Sequence, residues 1–207
     1  MVNWEVARHQ VAIAGRVTNA QTGQAICGAQ VKITAAPLEF TDWLALQAMQ
    51  YGARWASMAE RPDRTQTALD GHFHFMDLPN GSYTLTATLP GSGTRCGTAQ
   101  VAVVISRDAQ GHINLVSTSL ALAPTTLKGL VTGQGAAPLA MAEVRVKGSG
   151  ERAFTDGQGR YRLAGLEVGN RTVSVSAQGY QPATKTVSLG QPGTEQALNF
   201  GLTPVPP

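Results

Sequence analysis

The chain has 207 residues, of which 14% are charged, with 23 glycines, 11 prolines and a formal net charge of +3. This length accommodates one large domain or two domains of about 100 residues each. The turn-rich, charge-poor composition is typical of an all-β protein and excludes a helical bundle or a disordered tail. The basic residues form no dense run, so the sequence does not predict nucleic-acid binding.

The N-terminal stretch lacks the features of a secretion signal. Its first fifteen residues, MVNWEVARHQVAIAG, contain no basic segment followed by an apolar core. No apolar run approaches the roughly 20 residues needed to span a bilayer, so we expect no membrane span. We expect synthesis in the cytoplasm without a Sec signal, followed by retention there or by release from the cell within a larger particle.

In chain order, the first predicted elements are β-strands in which polar and apolar residues alternate. Such alternation buries one face of an antiparallel sheet and exposes the other. Turn signals such as Asp70-Gly71 and Asn80-Gly81 separate the runs. The predicted strands of the first half lie near residues 13–17, 29–33, 73–75, 83–89, 99–105 and 113–121.

A segment of helical period interrupts these strands at about residues 38–62. Its apolar residues recur at intervals of four and three, Thr41 or Asp42 is placed to cap its start, and Pro62 marks its end. We predict one amphipathic helix of about 18 residues. The side chains predicted to form its apolar anchors are Trp43, Leu44, Tyr51, Trp55 and Met58.

The second half of the chain repeats the same order of strands without the helical segment. Its predicted strands lie near residues 127–131, 142–146, 161–163, 173–175, 183–188 and 196–202. About seven strands per unit suit a β-sandwich of roughly 100 residues. We therefore predict two tandem domains, residues 1–123 and 124–207, of which the second ends in a proline-rich tail. The linker at residues 123–125 is too short for independent tumbling.

One pattern of glycines and alternating apolar residues runs through the second unit: Gly129-x-Val131, Ala142-x-Val144-x-Val146, Thr155-Asp156-Gly157-Gln158-Gly159-x-Tyr161-x-Leu163, Leu166 and Gly169. This pattern resembles the carboxypeptidase regulatory-like domain, a family related to transthyretin-like and collagen-adhesin B-type repeats. The first unit matches more loosely, because Ala68 stands where the second unit has Asp156 and because the helical segment is not a family feature.

The resemblance implies two Ig-like, prealbumin-like antiparallel β-sandwiches, the first with an inserted amphipathic α-helix. It also implies no catalytic residues and no cofactor, since the zinc peptidase chemistry in the family's name belongs to another domain. Domains of this kind serve as spacers, adhesive modules and parts of large assemblies. Tandem sandwiches without a signal peptide also occur in phage tails and contractile injection particles, which leave the cell by lysis.

His72 and His74 form the most metal-like motif, because residues two apart on a strand point to the same side. With Asp70 they would supply three ligands. A polar outward face explains the same residues without a metal, since the corresponding positions of the second unit hold no such set, and we predict no metal. Those positions are Gln158, Arg160 and Arg162.

Cys27 and Cys96 are the two cysteines of the chain. Following the strand directions places both at the same end of the first sandwich, where they are candidates for a disulfide. Closing a loop of this size would stabilise the fold by roughly 4 kcal/mol in the chain-entropy model. Synthesis in the cytoplasm opposes oxidation, whereas release from the cell would permit it, and the sequence leaves both outcomes open.

The relationship to collagen-adhesin repeats implies a second candidate cross-link, an isopeptide bond between a lysine of the first strand and an asparagine of the last. Lys128 and Asn199 lie on such strands. However, Leu127 and Val131 take the inward positions of the first strand, which directs Lys128 toward water. We therefore expect no isopeptide bond.

The outward positions of the second unit carry several basic residues. If their strands share a sheet, these side chains form a patch for an anionic ligand. The alternative is a face of solvated charges without a ligand. The residues concerned are Arg145, Lys147, Arg160 and Arg162.

The inserted helix carries the functional hypothesis. It either packs on its own sandwich or docks onto another protein through its apolar anchors. We favour a non-enzymatic structural or adaptor protein, held by the helix in a larger assembly such as a phage-tail-like or contractile injection particle. The alternative is an adhesive module that binds a ligand or carbohydrate on the second domain, where free aromatics are few. The sequence has no GxSxG, HExxH or P-loop lysine motif, which disfavours a hydrolase.

Overall fold

The computed structural model describes residues 9–58 and 61–206. Its contacts divide the chain into two compact units. The first unit comprises Met1–Gly91 and Thr98–Leu122, and the second comprises Ser92–Gly97 and Ala123–Pro207. Each unit is a β-sandwich of two sheets, which confirms the all-β fold predicted from the alternating patterns.

The first unit has seven strands among its described residues. They are β1 (Val11–Asn19), β2 (Gln30–Ala35), β3 (Arg64–Gln66), β4 (His72–Met76), β5 (Gly81–Thr88), β6 (Ala99–Ile105) and β7 (Val116–Leu122). One sheet has the order β4-β1-β7, and the other has the order β3-β2-β5-β6. Two helices, α1 (Leu38–Tyr51) and α2 (Ala53–Ser57), lie between β2 and β3.

The second unit repeats this arrangement without α-helices in its described part. Its strands are β8 (Thr126–Thr132), β9 (Glu143–Val146), β10 (Arg152–Phe154), β11 (Arg160–Ala164), β12 (Gly169–Ser176), β13 (Ala183–Leu189), β14 (Glu195–Ala197) and β15 (Phe200–Gly201). A short 3-10 helix, Gln134–Ala136, follows β8. One sheet has the order β11-β8-β14, with β15 also paired to β8, and the other has the order β10-β9-β12-β13.

The first and last strands of each unit pair in parallel, a pairing that the alternating patterns did not predict, within sheets whose other pairs are antiparallel. β1 runs parallel to β7, from the pair Ile13↔Val116 to the pair Asn19↔Leu122. β8 runs parallel to β14 and to β15. When successive strands alternate in direction, the first and the seventh point the same way, so they become parallel neighbours wherever the sheet brings them together.

The core of each unit is built from the inward positions of the alternating strands. β4 and β11 correspond in the repeat and have the same burial pattern. Phe73 and Phe75 are buried in the first unit, and Tyr161 and Leu163 are buried in the second. The residues between them are exposed, so the repeat read from the sequence extends to the orientation of individual side chains.

Gly15 and Gly129 occupy the middle of β1 and β8, opposite large rings. Gly15 pairs with Phe73, and Gly129 pairs with Tyr161. A Cβ atom at either position would overlap the facing ring, and at Gly129 it would also overlap the backbone of Leu198. Glycine in both copies of the repeat therefore allows the first strand to approach its neighbours closely.

The segment Ser92–Gly97 follows β5 but belongs to the second unit, whereas the predicted boundary placed it in the first domain. The Glu167 carboxylate accepts the Thr94 amide at 3.0 Å, the Thr94 hydroxyl, and the Arg95 Nε at 3.0 Å. Thr125 donates its amide to the Arg95 carbonyl at 2.8 Å and its hydroxyl to the Thr94 carbonyl at 2.7 Å. These hydrogen bonds explain why the segment is part of the second unit.

Replacing Gly129 by alanine is expected to destabilise the second unit by about 2–3 kcal/mol, because the added Cβ overlaps backbone that cannot move aside. Urea denaturation followed by circular dichroism measures the change. Gly157→Ala is the matched control, since its Cβ would meet open space. Tryptophan fluorescence should be unaffected, because all three tryptophans belong to the first unit. Equal unfolding free energies for the two variants would contradict the close-approach argument.

The second unit is expected to lose stability at acid pH through Glu167. The Thr94 hydroxyl and amide, with Arg95, hold the pKa of Glu167 below its ordinary value. The stabilisation is therefore complete above the unfolded pKa of about 4.3, and it is lost as the pH falls through the lower folded pKa. Urea titrations from about pH 7 to about pH 3 should show a smaller loss of unfolding free energy for Glu167→Gln than for the wild type. Parallel pH curves would mean that this carboxylate contributes nothing.

Candidate functional site

The inserted segment forms two helices, which corrects the prediction of one helix of about 18 residues. α1 ends at Tyr51 and α2 begins at Ala53. Gly52 lies between them with φ 55° and ψ −134°, a conformation outside the helical region that glycine adopts readily. No helix within the described residues is long and apolar enough to cross a membrane.

The predicted cap of this helix is also wrong. α1 begins at Leu38, with Pro37 at the N-cap position and no side-chain cap hydrogen bond. Thr41 lies inside the first turn, where its hydroxyl donates to the Leu38 carbonyl at 2.9 Å, and Asp42 follows it. Pro37 has a φ of −59°, close to the helical value, so the chain enters the helix before the Thr41 and Asp42 signal.

Phe40 attaches α1 to its own sandwich. It is the one buried residue of α1, whose residues are all described. Its ring meets the Tyr83 ring edge to face, with ring centres 5.7 Å apart. Tyr83 is itself buried and donates its hydroxyl to the Pro79 carbonyl at 2.9 Å. Phe40 was not among the predicted anchors, although its spacing of four residues from Leu44 places both on one side of the helix.

The five residues predicted to bind a partner separate into two groups. The half-buried residues are Leu44, Trp55 and Met58. The exposed residues are Trp43 and Tyr51. Tyr51 stacks on Trp55 with ring centres 5.8 Å apart, and the Arg61 guanidinium lies 4.7 Å from the Trp55 ring centre. Trp55 is therefore occupied by contacts within the insert, whereas Trp43 keeps a free surface.

The most exposed apolar side chains of α1 lie on another side of the helix. Leu38, Leu46 and Met49 are 80%, 64% and 81% exposed. At about 100° per residue they fall within an arc of about 80°, on the side away from Phe40. We call these three residues the α1 outer face. They were not among the predicted anchors, because periodicity alone does not reveal which apolar side of a helix faces the sandwich.

A cleft of about 720 Å³ lies between α1, β3 and β4. Its volume is within the range of ligand-binding pockets, and its walls are largely apolar. Trp43 and His74 both line this cleft, a proximity that no sequence pattern predicted. The lining residues are His9, Glu39, Phe40, Trp43, Arg61, Pro62, Arg64, Thr65, His74, Phe75, Met76, Asp77 and Pro79.

Two charged groups of the cleft have partners within the first unit. Arg61 donates to the two carboxylate oxygens of Asp63 at 2.8 and 2.6 Å. Asp77 accepts the Gln10 amide at 2.8 Å and pairs with His9. Burial raises the pKa of Asp77, but these hydrogen bonds outweigh burial and leave the pKa below its ordinary value.

Arg64 and Glu39 carry the charges of the cleft that have no opposite partner in the part of the chain that the structure describes. Arg64 donates to backbone carbonyls, to Ala56 at 3.0 Å and to Met58. Its Nε is buried and has no hydrogen-bond partner there. Glu39 is exposed in the first turn of α1, where the helix dipole favours a negative charge. Arg64 is the more buried of the two, so water and salt screen its charge less.

The metal-like motif of Asp70, His72 and His74 is assembled only in part. His72 Nδ1 lies 2.9 Å from an Asp70 oxygen, and hydrogen bonds from the backbone and ring of His72 lower the pKa of Asp70. His74 lines the cleft instead. Within residues 9–58 and 61–206, no group of three or more His, Cys, Asp or Glu side chains is placed to hold a metal ion.

Cys27 and Cys96 are free thiols in the structure. Cys27 is exposed in the first unit, and Cys96 is half-buried in the segment Ser92–Gly97 of the second unit. The Cys96 thiol donates to the Ala123 carbonyl at 3.5 Å, and burial raises its pKa. A raised pKa lowers the thiolate fraction at neutral pH and slows oxidation. The disulfide stays a prediction that depends on the compartment.

The basic residues of the second unit do not share one sheet, which was the condition for an anionic-ligand patch. Arg145 lies on β9 in one sheet, with Lys147 just after it, whereas Arg160 and Arg162 lie on β11 in the other sheet. The outward side chains of two packed sheets point in opposite directions, so the two sets occupy opposite faces. Arg162 pairs with Glu195, and the negative charge of Glu195 offsets the positive charge of Arg162 on that face.

Lys128 and Asn199 are both exposed, as the phase of their strands predicted. Lys128 pairs with Glu195, and the Asn199 side-chain oxygen accepts the Leu130 amide at 2.9 Å. Asn199 thereby supplies a partner for β8 at the interruption between β14 and β15. Both residues line a groove of about 610 Å³ that also includes Phe154.

The fold and the repeated motif can now be compared with known families. The sequence profile of the carboxypeptidase regulatory-like domain matches residues 12–116 and 126–203. The chain belongs to this family. Both halves match, which confirms the tandem resemblance, including the first unit with its helical insert. Among curated protein sequences, none matches this chain.

Solved structures of low sequence identity resemble the chain. The minor pilin GBS52 of Streptococcus agalactiae is 15% identical with a TM-score of 0.34, over 97% of this chain and 98% of the pilin. The shaft pilin SpaA of Lactobacillus rhamnosus GG is 12% identical with a TM-score of 0.44, over 96% and 99%. A cohesin–X-dockerin structure from Acetivibrio cellulolyticus is 17% identical with a TM-score of 0.31, over 37% of this chain and 56% of that one. Likeness at this level carries no functional argument.

Phe40→Ala is expected to destabilise the first unit by about 3 kcal/mol, because it removes a buried ring and its contact with Tyr83. Urea denaturation followed by tryptophan fluorescence reports this change, since Trp43 and Trp55 lie in the insert. Leu46→Ala is the control on the same helix and is expected to change stability by less than about 0.5 kcal/mol. If both variants unfold alike, Phe40 is not the residue that attaches α1.

Proposed function

We propose that this protein is a non-enzymatic structural or adaptor component of a larger assembly and that it docks through the α1 outer face. The observation that carries the proposal is the exposure of Leu38, Leu46 and Met49 on one side of a helix. The second unit completes its two sheets without a helix at the corresponding place. The insert is therefore dispensable for the sandwich, which favours a role in recognition.

The chemistry of the α1 outer face suits a protein partner. Burying one leucine or methionine side chain stabilises an interface by roughly 1.5–3 kcal/mol before the costs of association. Three such side chains on one helix face form the pattern by which helices dock into apolar grooves. Trp43, which is 42% exposed, adds aromatic surface beside this face.

We further propose that the assembly is a particle of the phage-tail or contractile-injection type, joined in the cytoplasm and released with the particle. This part rests on the analogy with tandem sandwiches of such particles. A carbohydrate-binding adhesive module is the alternative. It has less support, because free aromatic rings are few in the second unit, where Tyr161 and Phe200 are buried.

Sedimentation of a native lysate through a density gradient tests the docking proposal. The wild-type chain is expected in a megadalton fraction. The double variant Leu46→Gln, Met49→Gln removes two apolar side chains without touching buried Phe40, so it is expected to remain folded and to sediment as a monomer. Quantitative immunoblotting of the fractions measures the shift.

The matched control changes two exposed leucines outside the helix, Leu69→Gln with Leu115→Gln, and is expected to sediment as the wild type does. Circular dichroism checks that all variants are folded. The proposal fails if the wild type sediments as a free monomer or if the helix variant stays in the large fraction.

A further inference from the structure

We infer that the cleft between α1, β3 and β4 binds an extended peptide strand of the partner. The strand pairs with the free edge of β4, packs an apolar side chain against Trp43 and Met76, and directs a carboxylate toward Arg64. The inference rests on the proposed docking function, and it names the chemistry that the partner presents at a second site of the first unit.

Among the described residues β4 is an edge strand, since the sheet order β4-β1-β7 gives it a neighbour on one side only. The Val17 amide donates to the Gly71 carbonyl at 2.8 Å, so the carbonyl that precedes β4 points toward β1. Antiparallel pairs alternate between bonded and non-bonded, and therefore the backbone groups of Phe73 and Phe75 also face β1.

The intervening residues of β4 direct their backbone groups away from β1. The His72 carbonyl shows this direction, because it accepts the Ala68 amide at 2.9 Å on the far side from β1. By the same alternation, His74 and Met76 each present one N–H and one C=O at the free edge. Both residues also line the cleft. An extended strand is the partner structure whose backbone matches alternating donors and acceptors at this spacing.

The walls of the cleft favour an apolar side chain on the incoming strand. The apolar lining of the cleft comes from Phe40 and Trp43 of α1, from Pro62 before β3, and from Met76 and Pro79 at and after the end of β4. A volume of about 720 Å³ gives room for side chains as well as backbone. Side chains of an extended strand point alternately to its two sides, so one side faces these walls while the other faces solvent.

The charges of the cleft select an acidic residue beside the apolar one. Arg61 and Asp77 are already paired within the first unit, to Asp63 and to His9 and Gln10. Arg64 is partly buried, and its side-chain contacts among the described residues are neutral carbonyls. The Glu39 carboxylate would repel an acidic residue of the peptide. Glu39 is exposed, so water and salt screen this repulsion more than they screen the attraction of the peptide's carboxylate to Arg64.

Selection of a random 12-residue peptide library displayed on phage, against the full chain, tests the inference. Selected peptides are expected to contain Asp or Glu close to a large apolar residue. Binding of a synthetic copy of the best peptide is expected to slow the hydrogen-exchange rates of the His74 and Met76 amides at least tenfold. The Phe73 and Phe75 amides, which already face β1, should not change.

Two variants block the cleft in different ways. His74→Pro removes one free N–H of β4 without removing a bond to β1, and proline is tolerated on such an edge. Met76→Lys places a charge on the apolar wall at a half-exposed position, and it serves as the second test if the proline variant does not fold. Each variant is expected to bind the selected peptides with at least tenfold lower affinity than the wild type.

The carboxylate is tested by a thermodynamic cycle. Replacing the selected Asp or Glu by its amide should weaken binding to the wild type about tenfold, and Arg64→Gln should abolish that difference. Equal affinity of the acid and amide peptides for the wild type would overturn the charge assignment.

The inference would be overturned if the selection yields no peptide whose binding depends on the cleft. It would also be overturned if the selected peptides leave the His74 and Met76 amides unprotected from exchange. The Leu46→Gln, Met49→Gln variant separates this inference from the proposed function. It should bind the selected peptides as the wild type does, because neither residue lines the cleft. Loss of the peptides on that variant alone would place their binding on the α1 outer face and overturn the cleft assignment.

Discussion

The central position of the first strand is the constraint on which each unit depends. β1 lies between β4 and β7, and β8 lies between β11 and the two pieces of the last strand. Each first strand therefore forms backbone hydrogen bonds on both sides, and one of its neighbours is the last strand to be made. The sheet that contains the first strand is complete only when the last strand of its unit has been synthesised, and contacts of such long sequence separation fold slowly. Glycine at the middle of the first strand, where a ring packs on its backbone, serves the same close packing.

This constraint explains where the fold tolerates an insertion. α1 and α2 interrupt the chain between β2 and β3, and β3 is a three-residue edge strand of the other sheet. An added segment there leaves the ladders of β1 intact. Phe40 then fixes the helix on Tyr83, and the space left between the helix and the edge strands is the cleft. The helix surface and the cleft are therefore two results of one insertion into a repeated domain.

The sequence predicted those features that are written in short, local patterns. Alternation located most strands, and turn residues separated them. β3 and β10 are three residues long, too short to show a period, and they were not found individually. The break at Gly52 was missed because glycine near the end of an apolar helix pattern leaves the period unchanged.

Features that depend on which strands share a sheet lay beyond local patterns. Arg145 and Arg160 occupy equivalent outward positions in sequence, and only the sheet assignment places them on opposite faces. Parallel pairing of the first and last strands likewise follows from topology rather than from either strand alone. The cleft joins side chains from α1, β3, β4 and His9, which no single spacing connects. Phe40 differs, since its helical spacing from Leu44 was visible in the sequence.

The segment Ser92–Gly97 has a consequence for how such tandem proteins evolve. Domain shuffling moves a contiguous stretch of gene, and it succeeds when the stretch encodes everything that the domain needs. A stretch for residues 123–207 would omit the donors to Glu167 and the acceptors for Thr125, which come from a loop of the preceding copy. A gene fragment for residues 123–207 therefore does not encode the complete second unit. Recombination would transmit the two copies together, which favours inheritance of the pair as one block.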